Sequence, residues 1–338
     1  MNALVDLLAL SQHARLVTLA CATQQAVAAA LVAEQFTGLE GINALFAFEL
    51  DALATSADLD IDVLVGEALC IGLLQPDGSR RVWHGICTYA GALGADGGLA
   101  RYRLRIEPAL AQLQQRRDSH LFQDMDVRAI VADLLADYPA VQCAFDLARA
   151  PAPRAICTQY RENDYAFLCR LLAAEGLNWR FDHDEKGHRL VIFDAAASAP
   201  ATPGGAVLRF HGVRATEVDD AIDSWHARRS ACANGVALSS WDPAELVAPS
   251  AQQASRLDAG ELAAMQVYDG SGERIASGPA TPGGAADDHG QRMLQALERD
   301  NKTFIGAGAV RRLAAGHGFT LTQHAHFRTA RTRLRCYG

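Results

Sequence analysis

The chain has 338 residues, half of them hydrophobic, 21% charged, with a formal net charge of −8. That length exceeds one small core, so two or three domains are expected, and the balance fits a globular protein rather than a disordered or fibrous one. Its eight cysteines stand singly with no C-x-x-C, which argues against a disulfide framework and for small buried apolar side chains in a reducing compartment.

The charge is unevenly spread. Between Arg15 and Arg80 there is no basic residue, while nine acids run from Glu34 to Asp77. After Asp300 there is no acid, and seven bases follow, among them Arg311, Arg312, Arg328 and Arg335. Such ends could pair within the fold or across an interface, or form two solvated faces. Aromatics hardly interleave with the C-terminal arginines, so nucleic-acid binding is not expected.

Residues 1–13 group Leu4, Leu7, Leu8 and Leu10 in a helical manner and read as a loosely tied arm, with 1–14 set apart from the domains. Residues 16–33 carry no charge and reach the minimum length of a membrane span. Thr18, Thr23 and the Gln24-Gln25 pair argue against one, and Asp6 argues against a signal peptide. Two strands around a polar turn at 23–25 are expected instead. Residues 36–41 form a glycine-punctuated bend, after which Phe46, Phe48 and Leu50 share a strand face. Asp77-Gly78 and Asp96-Gly97-Gly98 mark hairpin turns, and Tyr102, Leu104 and Ile106 alternate with Arg101, Arg103 and Arg105. Strands at this spacing predict a small barrel or split barrel over 15–117.

A helical region is expected in 118–138, capped by Asp126, with Val127, Ile130, Val131, Leu134 and Leu135 as its buried stripe. The most informative run is 157–181. Cys157 to Tyr160 is strand-like, Asn163 is an N-cap, and Asp164 sits where a helix dipole favours an acid. Phe167, Leu168, Leu171 and Leu172 make the stripe, with Asp164, Arg170 and Glu175 off it. Gly176 stops the helix and a strand resumes. Residues 183–188 read as a charged hairpin tip. An α/β part therefore spans 118–200 between β segments. ATPGGA occurs at 201–206 and again at 280–285; neither has phosphate-loop spacing, and both read as flexible connectors. A second β-rich domain, 201–338, is expected to contain a helix over 288–302 and a strand over 316–324. The fold class is α+β, mainly β.

Nothing in the sequence assembles a catalytic set. His317, His324 and His326 lie near Cys336, but their spacing is not that of a zinc site, and exposed loop histidines are the simpler reading; His183 and His188 are treated alike. Gly270-Ser271-Gly272 is not a nucleophile elbow. Cysteines in apolar strings such as Leu69-Cys70-Ile71 stay inert thiols. Glu162 with Asp164 reads as helix N-terminal charge. No catalytic, metal or cofactor residue is assigned.

Gln159-Tyr160-Arg161-Glu162, Asp164, Phe167, Arg170-Leu171-Leu172, Glu175-Gly176 and Phe181 together resemble the signature of VgrG proteins, the spikes of the bacterial type VI secretion system, related to the baseplate hub of contractile-tailed phages. The resemblance extends through Gly38, Glu40 and Gly41, Phe46 and Phe48, His84-Gly85-Ile86, Tyr102-Arg103-Leu104 and Phe122-Gln123, over roughly 15–326 in all. It implies two barrel-like domains with an inserted helix-containing part, phage tail hub-like. It also implies a non-enzymatic homotrimer docking on a tube of Hcp, with a needle, a PAAR tip and effectors beyond it. The family is assembled in the cytoplasm without a signal peptide and then secreted through the apparatus. The residues after 326 do not look like the family's continuation, so an incomplete second barrel is expected. A metal-dependent enzyme using the C-terminal histidines and a tail-fibre-like binding module are the alternative classes.

Overall fold

A computed structural model describes residues 15–96, 98–194, 199–212, 220–241, 246–257, 263–270, 284–325 and 334–335. The N-terminal arm, Gly97, most of the second ATPGGA run, His326 and Cys336 lie outside the described residues. The fold is mainly β and divides into two compact units, one of residues 1–209, 218–220 and 310–338, the other of 210–217 and 221–309.

The first unit opens with β1 (Val17–Cys21), a short helix α1 (Gln25–Ala30) and β2 (Val32–Gly41). The expected two strands around a turn are thus a strand, a helix and a strand, because the run Ala-Val-Ala-Ala-Ala favours helix over turn. The expected bend at 36–41 is also strand. Gly38 lies opposite Phe48 of β3 (Ala44–Ala54), whose ring occupies the place a Cβ would take. The glycine makes room for an aromatic ring and does not turn the chain. The turn falls one step later, where Asn43 takes φ +60°.

β4 (Ala68–Leu74), β5 (Arg80–Asp96) and β6 (Leu99–Glu107) complete a six-stranded sheet of order β1-β4-β5-β6-β3-β2. Alternation places Phe46, Phe48, Leu50 and Ala52 of β3 with Tyr102, Leu104 and Ile106 of β6 in the core. On the outer face Arg103 forks onto Asp51 (2.6 and 2.8 Å) and Arg101 reaches Glu34 (2.8 Å). Glu40 pairs with Arg81 of β5. Acids of the 34–77 segment are therefore met by β5 and β6 arginines. Of the C-terminal bases, Arg311 pairs with Asp220 instead.

β7 (Arg117–Met125) pairs antiparallel with β9 (Arg154–Asn163), separated in sequence by α2 (Val127–Leu135) and β8 (Gln142–Asp146). The helical expectation for 118–125 fails. Phe122 turns inward while Leu121 and Gln123 turn outward, a period of two that pairing with β9 requires. From 126 the reading holds: Asp126 accepts from Ala129 N–H (2.9 Å), and Val127, Ile130, Val131, Leu134 and Leu135 are buried.

β9 leads into α3 (Asp164–Ala174), then β10 (Asn178–Asp184) and β11 (Gly187–Phe193). Asn163 caps α3 by accepting from Ala166 N–H at 2.7 Å. At the other end Leu177 N–H donates to Leu172 C=O (2.9 Å) and Gly176 N–H to Ala173 C=O (3.0 Å), a Schellman closure with Gly176 at φ +70°. Gly176→Val is therefore expected to cost about 1 kcal/mol or more, since a β-branched residue resists the left-handed region. A urea melt coincident with wild type would contradict this closure.

β11 also pairs parallel with β8. Thr202 in the first ATPGGA run donates from both N–H and Oγ1 to Gly318 C=O (3.1 and 3.2 Å), so this run is pinned rather than a free connector. β12 (Val207–Phe210) follows.

The second unit contains β13 (Ala221–Arg229), β14 (Gly235–Ser239), β15 (Ser250–Ala254), β16 (Gln266–Asp269), α4 (Gly284–Glu298) and β17 (Lys302–Gly308). β14 lies between β15 and β16, and β13 pairs antiparallel with β17. α4 begins and ends about a turn earlier than expected. Asn301 ends it, exchanging bonds with the Ser230 backbone that draw the chain into β17. Back in the first unit, β18 (Gly318–Thr322) pairs with β12 and with the short β19 (Leu334–Arg335). Among the described residues no helix is long and apolar enough to cross a membrane.

Candidate functional site

Most of the residues singled out by sequence lie around two polar centres of the first unit, the Asp164 centre buried and the Glu40 centre half-buried. One surrounds the start of α3. Asp164, expected on the solvent side of the helix, is only 1% exposed. Its Oδ2 accepts from Tyr138 Oη at 2.6 Å, its Oδ1 from Gln159 Nε2 at 2.7 Å, and Arg116 Nε stands 3.7 Å away. Asp164 thus does more than charge a helix end: it joins β9, α3 and the turn after α2 through hydrogen bonds that no other solvent competes for. Burial, then the bond to Asp164, pushes the Tyr138 hydroxyl up to about 12.

Around this centre Phe122 stacks on Phe167, with ring centroids 5.5 Å apart and planes within 4°. Glu162 takes a two-pronged bond from Arg170 (2.6 and 3.3 Å), which also donates to Thr158 C=O. Glu175 accepts from Arg154 (2.6 and 2.8 Å). Leu171 is buried in the stripe. Arg161 takes φ +52° where β9 shifts register against β7. Tyr160 and Gln123 do not join the centre. They face outward on the β7–β9 ribbon, Tyr160 being 69% exposed.

The second centre is built on Glu40. Its Oε1 accepts from Trp83 Nε1 (3.1 Å) and its Oε2 from Arg81 (3.2 Å). Arg81 lies over the Trp83 ring at 4.2 Å and also donates to the carbonyls of Arg311 and Leu313. Burial raises the Glu40 carboxyl above its usual range, with Arg81 pulling the other way. Neither Arg81 nor Trp83 stood out in the sequence, because a partner 41 residues away leaves no local signal.

His183 and His188 were expected at a hairpin tip. The tip is Glu185-Lys186, and the two histidines face each other across β10 and β11 below it. Both are packed against Phe46, at 5.1 and 5.7 Å between centroids. His183 Nδ1 accepts from the His84 backbone N–H (3.1 Å), and His188 Nε2 from that of Ala109 (3.0 Å). His317 and His324, expected to be exposed on a loop, are both buried, His317 with Nε2 3.9 Å from Asp182. Among the described residues no group of three His, Cys, Asp or Glu side chains could hold a metal ion. Desolvation raises the thiols of Cys70, Cys143 and Cys169, and Cys87 to about 11.

A groove of about 650 Å³ in the same unit is lined by Glu40, Arg81, His183, Asp220, Arg312 and His317, with both signs of charge along its wall. The Glu40 centre fastens the 311–313 segment to the six-stranded sheet, and the Asp164 centre ties β9, α3 and the turn after α2 to one another.

The sequence matches the phage tail baseplate hub (GPD) family over residues 39–334, and the chain belongs to that family. It is 27% identical over 319 residues to the type VI secretion system spike protein VgrG1c of Pseudomonas aeruginosa, covering 93% of this chain and 42% of that one. VgrG4b of the same organism is 36% identical over 163 residues, 47% of this chain and 20% of that one. The chain thus spans less than half the length of the spike proteins it matches. Among solved structures, a type VI secretion component from E. coli, c3393, superposes with TM-score 0.61 at 16% identity, covering 90% of this chain and 72% of that one. The prophage MuSo2 43 kDa tail protein of Shewanella oneidensis does so with 0.61 at 14%, covering 92% and 89%. These structures share the fold.

Proposed function

We propose that the chain is the hub of a type VI secretion spike, a non-enzymatic scaffold. It docks on the Hcp tube and carries needle, PAAR tip and effectors. The observation that carries this reading is the family match over 39–334, combined with residues such as Asp164, Glu162 and Glu175 being committed to internal bonds. In this reading three copies form a ring in which each supplies two similar barrels, domains 15–117 and 201–338 flanking 118–200. The spike is assembled in the cytoplasm and leaves through the apparatus. The signature residues act as its framework: Phe122, Gln159, Asp164, Phe167 and Leu171 within the core, Glu40 half-buried, and Gly38, Tyr160 and Gln123 at its surface.

Replacing the hub region of a functional VgrG by this chain tests the reading. Restored release of Hcp into the medium supports it; a stable, well-expressed chimera that releases none contradicts it.

Self-association of the chain alone is expected to be weak. In the proposed spike, intertwined needle chains hold the trimer, while exposed ion pairs between hub copies contribute about 0–1 kcal/mol each and are screened by salt. That is little against the entropy of association. Sedimentation equilibrium should show a monomer, or a trimer lost at high salt and micromolar concentration. A trimer persisting at nanomolar concentration in high salt would overturn this expectation.

A further inference from the structure

The β10–β11 hairpin meets the six-stranded sheet at two places of different chemistry. At its base Asn43 clasps Trp179: Asn43 N–H donates to Trp179 C=O, and Trp179 N–H to Asn43 Oδ1, both at 2.9 Å. Neither bond involves a titrating group. Toward its tip the fastening is by imidazole. His183 Nδ1 receives the His84 N–H of β5, and His188 Nε2 receives the Ala109 N–H that follows β6. Only a neutral imidazole can accept, because an imidazolium carries a hydrogen on both nitrogens.

We propose that this hairpin is an acid-released latch: in mildly acidic solution its tip half lifts from the sheet about the Asn43–Trp179 clasp, where His183 and His188 take up protons and can no longer accept from His84 and Ala109.

The groups facing the two rings oppose charge while the latch is closed. His183 has His84 and Arg81 of β5 and His188 of β11 around it, all of which disfavour a second positive charge, besides its desolvation. Glu40 Oε1, at 3.8 Å from His183 Nε2, is the acid that favours it, and that oxygen already serves Trp83. Asp184 favours charge on His84, whose ring lies near Cys70. Desolvation holds His183 well below the usual imidazole range and His188 at about 4. The lifted state, with ordinary imidazoles, therefore binds more protons. Closure is fully favoured above the unfolded imidazole value and is lost as pH falls toward the folded one. Glu40, raised by burial, runs the opposite way, since its protonation relieves desolvation in the closed state; it does not restore the two lost acceptors.

Hydrogen exchange by mass spectrometry, corrected for intrinsic rates, tests this on the intact chain at about pH 7 and about pH 5. Peptides covering 181–190 should exchange faster by about tenfold or more at the lower pH. Peptides from β3 and from residue 178 to 179 should change little. In the double variant His183→Asn with His188→Gln, the amide oxygens stand where Nδ1 and Nε2 accept, without titrating, and the response should vanish. Equal acid response in both proteins, or a wild-type tip equally protected at both values, overturns the latch. If the variant does not fold, imidazole NMR of the wild type decides: titration of both rings with the 181–190 amides still protected overturns it, and titration coincident with their loss supports it.

Discussion

Arg81→Ala is expected to lower stability by about 3–5 kcal/mol, because it leaves a buried carboxylate without its cation. Arg81 and Glu40 side chains are 11% and 21% exposed on the groove wall, so water replaces the ion pair only in part. The same substitution frees the carbonyls of Arg311 and Leu313 and removes the cover over Trp83. Glu40 already lies above its usual range through burial, so losing Arg81 raises it further. A carboxyl raised by folding costs stability above its unfolded value and regains it when protonated, so the loss should be larger at neutral than at acid pH. The double variant Glu40→Gln with Arg81→Met should lose less than Arg81→Ala alone, since no charge is then stranded. Urea unfolding at two pH values measures all three. A pH-independent loss below about 1 kcal/mol would place Glu40 in contact with water.

Phe167→Ala is expected to cost about 3–5 kcal/mol. Its ring is fully buried, stacked on Phe122, with Arg170 5.4 Å above it. The cavity would open between the β7–β9 ribbon and α3, whose neighbours are fixed by the Asp164 network and cannot collapse inward. Phe167→Leu should recover most of the loss. Tyr160→Ala, four residues before Asp164 and exposed, should stay within about 0.5 kcal/mol of wild type. Equal losses for Phe167→Ala and Tyr160→Ala would mean that the division of these residues into core and surface is wrong.

What was legible in the sequence was local. The caps Asp126 and Asn163, the stripe Phe167-Leu168-Leu171-Leu172, the stop at Gly176 and the alternation along β6 are set by neighbours within a few residues, and the structure repeats them. The class of protein was legible too, because the order of its motifs survives over nearly the whole chain. The misreadings have a common cause. Asp164 was read as a surface charge because its partners Tyr138 and Arg116 lie 26 and 48 residues away, beyond any periodicity. Gly38 looked like a bend because the Phe48 ring that requires it is on another strand. His183 and His188 looked like a polar tip because composition cannot show that Phe46 closes over them. Residues 118–125 looked helical by adjacency to a good cap, whereas their pairing with β9 spans an intervening helix and strand.

The function proposed for this chain is a hub that docks on the Hcp tube. It is tested most directly by joining the chain to a trimeric β-helical needle segment and mixing the product with Hcp rings. The account predicts one ring bound per trimer, seen by sedimentation and by electron microscopy as an Hcp hexamer seated coaxially on a pseudo-sixfold hub. A trimer whose hub parts stay splayed around the needle and bind no Hcp would contradict it.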